Sequence, residues 1–433
     1  MTSLNDKRQS AHPAPVMGFW KCWSMSVGVM IGSGVFLLPA VLAPYGSVSF
    51  LGWLFTSAGA ITIALVLGRL ASHTTQSGGF YVYTREAFGE LAGFIVGWSY
   101  WLSIVFAAAA ISSAFAGYAG AVIPELGASK SVQALVAVAI IWIVTGINIK
   151  GVSEAASVQL VMTLLKIIPL LVIIALGFVV GSTENIPPLN PQELPFTQAL
   201  ATTGLLTMWA FIGLEAGVIP AGEVKDAKRT IPRAVVIATL SVAALYIGAT
   251  AAVMMLVPVD VLAQSEAPFA DAARALGKFG GPMIAFGALV STAGSLNGNI
   301  FLSGQMPAAV ATDGLAPKAL AKKNAGHAPT RALLTSSSVA TVLLLFNYSD
   351  GLVAAFTFLI SMSTLAVLMP YALSALAALK ESKRQAAPWT IIAIIALVYS
   401  LIAMAGAGVN TLLSGLLLIV AGLPVFYWSR RKQ

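Results

Sequence analysis

Charge is what this sequence has least of: Asp, Glu, Lys and Arg together make up 9% of 433 residues, while 58% are apolar and the mean hydropathy is +0.88. A soluble domain needs a charged shell around its core, so a soluble fold is excluded and a polytopic membrane protein is implied. Cysteine is nearly missing as well, and the single Cys22 excludes an intrachain disulfide. Of the three histidines, His12, His73 and His327 all fall in tails or connections, which excludes a histidine relay through the membrane. No Gly-rich phosphate loop with its lysine occurs, so neither ATP nor any other cofactor is expected. No segment between apolar runs is long enough to bury a core of its own.

What the chain does have is apolar runs long enough to cross a bilayer as helices, repeated from end to end. About twelve are expected, at 20–44, 48–71, 87–120, 131–149, 157–181, 197–221, 232–258, 279–308, 328–346, 351–378, 388–406 and 408–428. The polar start, "MTSLNDKRQSAHPAP", leads into a first run without a cleavage pattern, so 1–19 reads as a tail and the first run as a retained span. Basic residues resist translocation. Lys130, Arg274 and Lys278 fall in connections on one side, Lys166 falls inside a span, and all other Lys and Arg fall on the opposite side. Both termini are therefore expected in the cytoplasm, in an inner membrane. The net charge of +8 reads as a topology signal with some attraction to anionic membrane lipid, and not as a nucleic-acid footprint.

Two segments interrupt this lipid-like pattern. "IGSGVFLLPA" runs from Ile31 to Ala40 and "IGLEAGVIPA" from Ile212 to Ala221; Gly32 precedes Pro39 by seven positions, as Gly213 precedes Pro220. They fall in the first and sixth runs, so the second copy crosses in the opposite direction. Gly- and Pro-interrupted segments at matching places in two halves point to a transporter with inverted repeats. A helix broken at Gly32-Ser33-Gly34 offers free N–H groups at the start of a half-helix, which suit a carboxylate, while carbonyls before a break suit an ammonium. A zwitterionic amino acid satisfies both. Charges at bilayer depth cost ~2.5–3.5 kcal/mol on insertion scales, so Glu215 and Lys166 are functional candidates by default. Glu215 reads either as a proton-exchanging carboxyl or as a structural acid held by backbone and tyrosine. A membrane enzyme would need a metal set or a nucleophile with its base, and these two residues lie on different helices.

The stretches "GVMIGSGVFLLPA", "SGGFYVYTREAFG" at 77–89 and "MWAFIGLEAGVIPAGEVKDAKRTIPRA" at 208–234 resemble the amino acid, polyamine and organocation transporter superfamily, and within it the basic amino acid/polyamine antiporters. "APFADAARALG" at 267–277 and "DGLAPKALAK" at 313–322 extend the resemblance over nearly the whole chain. It implies an all-α membrane fold of five-plus-five inverted repeats with discontinuous helices 1 and 6: a first repeat over 20–181, a second over 197–378, and two further helices with a short tail over 388–433. It also implies that Ser33, Gly34 and Gly32 bind the substrate carboxylate and that carbonyls of Met30, Trp209 and Ile212 bind the ammonium. Trp209 matches a gate over the substrate; Ser33, Tyr100, Glu215 and Tyr371 match a group expected nearer the periplasm. Phe80, Tyr81 and Tyr83 fall in a structural cytoplasmic loop.

The side-chain pocket departs from the arginine/agmatine-exchanging branch, which has asparagines at Val29 and Ala108 and a tryptophan at Asn299. With Ser103, Ile104 and Ser363, the pocket gains hydroxyls and an amide but no carboxylate, which favours a neutral or modestly polar amino acid. Lys166 matches a lysine of some proton-coupled and neutral amino acid members, at the place where sodium-coupled relatives hold a cation. There it would bind carbonyls of Gly28 and Ile31, with Ser291 or Ser295 nearby, as a titrating coupling site or as a fixed cation. The expectation is an amino acid or amine exchanger, not an enzyme. Proton-coupled symport and a non-transporting sensor are the alternatives, and a homodimer is compatible with the family.

Overall fold

The computed structural model describes residues 15–32, 34–265, 267–347, 352–382, 387–406 and 409–431. Ser33, placed in the carboxylate site and the gate, lies outside the described residues. So do the first fourteen residues and part of the basic run from Lys380 to Arg384.

The described elements are helical, beginning with α1 (Phe19–Met30), α2 (Leu38–Leu42), α3 (Val48–Ala71), α4 (Phe80–Phe88), α5 (Glu90–Val122), α6 (Lys130–Lys150) and α7 (Val152–Val180). They continue with α8 (Phe196–Met208), α9 (Ala227–Leu256), α10 (Val259–Leu262), α11 (Pro268–Ala272) and α12 (Gly280–Thr312). The chain finishes with α13 (Thr330–Asn347), α14 (Leu352–Ser382), α15 (Ala387–Gly406), α16 (Val409–Val420) and α17 (Leu423–Arg431). Ten helical stretches among the described residues are long and apolar enough to cross a membrane. The expected first run is absent from that set because it is interrupted: α1 ends at Met30 and the chain resumes as a tight turn over Gly34–Phe36. The sixth breaks likewise after α8, through short turns at Trp209–Phe211 and Leu214–Gly217.

Three helices expose one face and bury the other. In the hydropathic windows of α6, α7 and α15 only about a third of residues or fewer are buried, against 72% for α5. The latter runs through the centre of the molecule, where Ala107–Ala110 lets α12 and α14 approach closely, as small residues do between membrane helices. The segment after Gly78-Gly79, expected as a loop, is the helix α4. Its Phe80 is fully buried against Tyr100 and Tyr371, with ring centroids 5.0 and 5.7 Å away. Polar "TREAF" supplies good helix formers, and burial of Phe80 and Tyr81 docks the turn.

Before α1, Val16 and Met17 donate to the Glu223 carbonyl and Lys225 donates back to Met17, tying the chain start to the end of the sixth run. Glu223 also binds Lys323 Nζ at 2.8 Å and His327 Nδ1 at 3.1 Å. Arg85 pairs with Asp313, and the Tyr81 hydroxyl donates to the same carboxylate at 2.7 Å. Burial and the Asp313 charge hold the Tyr81 phenol above its ordinary range.

Candidate functional site

The two interruptions meet. Gly213 has φ +106°, a left-handed conformation open to glycine, and a Cβ there would stand 2.6 Å from Val29 and 3.1 Å from the Met30 nitrogen. Across the contact, Ser26 of α1 donates to the Leu214 carbonyl at 2.7 Å and accepts from the Gly217 amide at 3.1 Å. Irregular backbone survives at membrane depth only when protein or a cavity surrounds it, and here both hold.

A cavity of about 60 Å³ lies between the breaks. By that measure a water needs ~10–15 Å³, so there is room for several waters or a small solute. Gly32, Gly34 and Val35 form one wall, Trp209, Ala210 and Ile212 another, and Val29, Ser295, Asn299 and Ser363 contribute side chains; among the described residues none that lines it is charged. Gly34 opens a helical turn, so its first amides lack acceptors within the turn. The Trp209 ring lies directly on Gly34, where a Cβ would sit 1.9 Å from the indole.

Of the expected pocket, Val29, Asn299 and Ser363 line the cavity, but Ser103, Ile104 and Ala108 do not. Ser103 instead donates to the Ser363 carbonyl at 2.7 Å, while Ser363 donates to the Ser103 carbonyl at 2.8 Å. The wall from α5 is Ala107 and Ile111. Positions 103, 107 and 111 share one helical face at i, i+4 spacing, so carrying that face onward from Ser103 finds this wall where position-by-position matching gave Ala108. Ser295, expected near Lys166, also lines the cavity, four residues before Asn299 on the same face; Tyr246 was missed and carried no signal.

The carbonyls at the first break are occupied by the protein's own donors. Met30 accepts from the Tyr246 hydroxyl at 2.8 Å and from the Gly32 amide at 3.0 Å, which uses both lone pairs and removes it as an ammonium acceptor. Trp209 accepts from the Ile212 amide at 3.1 Å and keeps one lone pair. Ser295 donates to Val29 at 3.2 Å, and Ser291 to Ile31 and Gly32 at 3.1 Å.

Lys166 is fully buried, and its Nζ donates to the carbonyls of Ile31 at 2.6 Å, Gly28 at 2.8 Å and Ser291 at 3.1 Å. An ammonium carries three donors and no acceptor, so three carbonyls match it in full. Glu215 is 2% exposed and is held by neutral donors: the Gly213 amide at 3.1 Å and the Tyr371 hydroxyl. The buried Tyr100 hydroxyl faces the same carboxyl without a well-formed hydrogen bond. This group was expected nearer the periplasm and lies on the other side of the breaks. Leu214–Gly217 packs on α1 through Ser26 and Cys22, and Phe80 of α4 closes over both tyrosines, so the cluster sits on the side of the basic connections. The reason is direction: Glu215 follows the break in a run entering from the opposite face. Among the described residues no three His, Cys, Asp or Glu side chains are gathered to hold a metal.

Interrupted helices around a buried, uncharged cavity in a many-helix membrane protein define a solute permease. A profile of the amino acid permease family matches residues 17–427, and the chain belongs to that family. It is similar to the putrescine transporter PotE of Escherichia coli K12, 29% identical over 422 residues that span 95% of each chain. It is also 30% identical over 458 residues to the protein named "Putative arginine/ornithine antiporter" in Bacillus subtilis, spanning 96% of this chain and 97% of the relative. A similarly named Escherichia coli K12 protein is 29% identical over 436 residues, spanning 96% and 93%. The chain is a multi-pass membrane transporter of amino acids or amines and not an enzyme.

Proposed function

We propose that this transporter exchanges neutral or modestly polar amino acids across the inner membrane by alternating access, with both termini in the cytoplasm. The observation that carries the reading is the uncharged cavity between the two breaks. The amide at Gly34, with the Ser33 hydroxyl, receives the substrate carboxylate at a helix start, beside Gly32, whose own amide is held by the Met30 carbonyl. The carbonyls of Ile212 and Trp209 receive the ammonium, and the side chain points towards Asn299, Ser363, Ala107 and Ile111. A diamine or arginine side chain would bring a second cation to a wall without a carboxylate, so these substrates of the named relatives fit this chain less well.

In this reading 20–181 and 197–378 are the inverted repeats, and 388–433 adds the last two helices and tail. Trp209 closes the cavity over Gly34, and Glu215 with Tyr100 and Tyr371 closes the opposite route. Lys166 is a fixed cation that holds the first break, since its three donors are matched by three acceptors.

The test is uptake of radiolabelled amino acids and amines into proteoliposomes, with and without internal amino acid and with and without an inward proton gradient. Uptake of neutral amino acids that requires internal amino acid is expected. Uptake into empty vesicles driven by the proton gradient would replace exchange with proton-coupled symport, and preferred uptake of putrescine or arginine would overturn the neutral substrate class.

A further inference from the structure

A second cavity, of about 170 Å³, lies away from the breaks, where the start of α5, the end of α12, the start of α13 and α17 meet. Its wall includes Phe94, Trp98, Val310, Leu320, Ala332 and Val425. Three of the polar side chains beside it, Trp98, Trp101 and Ser336, are already engaged. Trp98 Nε1 donates to the Leu418 carbonyl at 2.9 Å, Trp101 Nε1 to Ser336 Oγ at 2.8 Å, and Ser336 Oγ to the Ser303 carbonyl at 2.8 Å. Water entering this space would find few partners, and an apolar cavity of ~150 Å³ is known to stay dry and take up hydrocarbon.

The mouth has the opposite character. Pro317 and Leu320 of the wall bracket Lys318, and Ala332 follows Arg331. Both cations are exposed and pair with no acid among the described residues. Nearby Arg430 shares its charge with Glu90 at 3.1 Å, and Tyr427 and Trp428 are about half exposed, as aromatic side chains at a membrane interface are. An apolar slot whose wall residues adjoin in the chain two exposed cations that pair with no acid among the described residues matches one ligand chemistry, an acyl chain that carries an anionic head.

The geometry points to a binding site for an anionic phospholipid of the surrounding leaflet, one acyl chain in the cavity walled by Phe94, Trp98, Val310 and Val425 and its phosphate at Lys318 and Arg331. The lipid joins α5 and α12, which line the substrate cavity, to α17, which does not. This inference does not depend on which solute is carried.

Native mass spectrometry of the full chain in detergent, titrated with phosphatidylglycerol or with phosphatidylcholine of the same acyl chains, tests it. The wild type is expected to retain one phosphatidylglycerol with a roughly tenfold or greater preference over phosphatidylcholine, from two cations at an anionic head. Lys318→Gln with Arg331→Gln should abolish the preference, and Thr335→Trp, which fills the cavity mouth, should lower retention of both lipids. Val425→Phe serves as a second filler if Thr335→Trp lowers the melting temperature. Equal retention of the two lipids by the wild type, or a loss caused by only one of the two kinds of variant, overturns the proposal, because chain and head are claimed to be held together.

Discussion

The two charged residues inside the expected spans, Lys166 and Glu215, are held in opposite ways. Lys166 meets only main-chain carbonyls, two from the first break and one from α12, and its charge is spread over three acceptors that cannot move without moving their helices. Glu215 meets amides of its own break and the side chain of Tyr371, with Tyr100 facing it, so part of its hold comes from side chains. A cation bound to backbone fastens one break in place, while an acid bound to a side chain fastens the other only until that side chain turns. In the proposed reading the lysine serves stability and the acid serves gating.

Lys166→Met attacks the rigid member and should have the largest effect. It leaves the Gly28 carbonyl without the Lys166 donor, at about 1–3 kcal/mol, and takes one donor from the carbonyls of Ile31 and Ser291, so a lower melting temperature and no measurable exchange are expected. Survival of exchange in this variant would erase the distinction.

Gly213→Ala comes next, because the new Cβ at φ +106° would strike Val29. Strain of about 1–3 kcal/mol is expected, read as a fall in melting temperature smaller than that of Lys166→Met. Glu215→Gln keeps an acceptor for the Gly213 amide and Tyr371 but removes the charge, so the melting temperature should move by less than about 1 kcal/mol equivalent while the exchange rate falls several-fold. A stability loss as large as that of Lys166→Met would make Glu215 a structural acid as well. Asn299→Ala should be mildest, leaving fold and maximal rate intact and shifting the ranking of amino acids in a competition assay.

Much of the fold was legible because hydropathy acts locally. The ends of α5, α6, α12 and α15 fall within a few residues of the apolar runs, since a helix in lipid satisfies its own backbone and needs no partner to be recognised. The spacing of Gly32 to Pro39 and Gly213 to Pro220 was legible for the same reason. Illegible were features that depend on which helix faces which. Ala107 and Ile111 line the cavity in place of Ala108: the face was open to reading from Ser103, but that it meets the breaks is decided by packing. The Met30 carbonyl accepts from Tyr246, a residue of α9 that lies 216 positions away.

By itself the sequence determined a many-helix membrane protein, two interrupted segments and the two charges inside the membrane, because each of these is a property of consecutive residues against the solvent. Only the tertiary structure decided that the breaks touch at Gly213 and Val29, that the Glu215 group lies on the side of the basic connections, and that Lys166 spends all three donors on main-chain carbonyls. Those outcomes rest on hydrogen bonds and contacts between residues far apart in the chain, and their geometry exists only once the helices have packed.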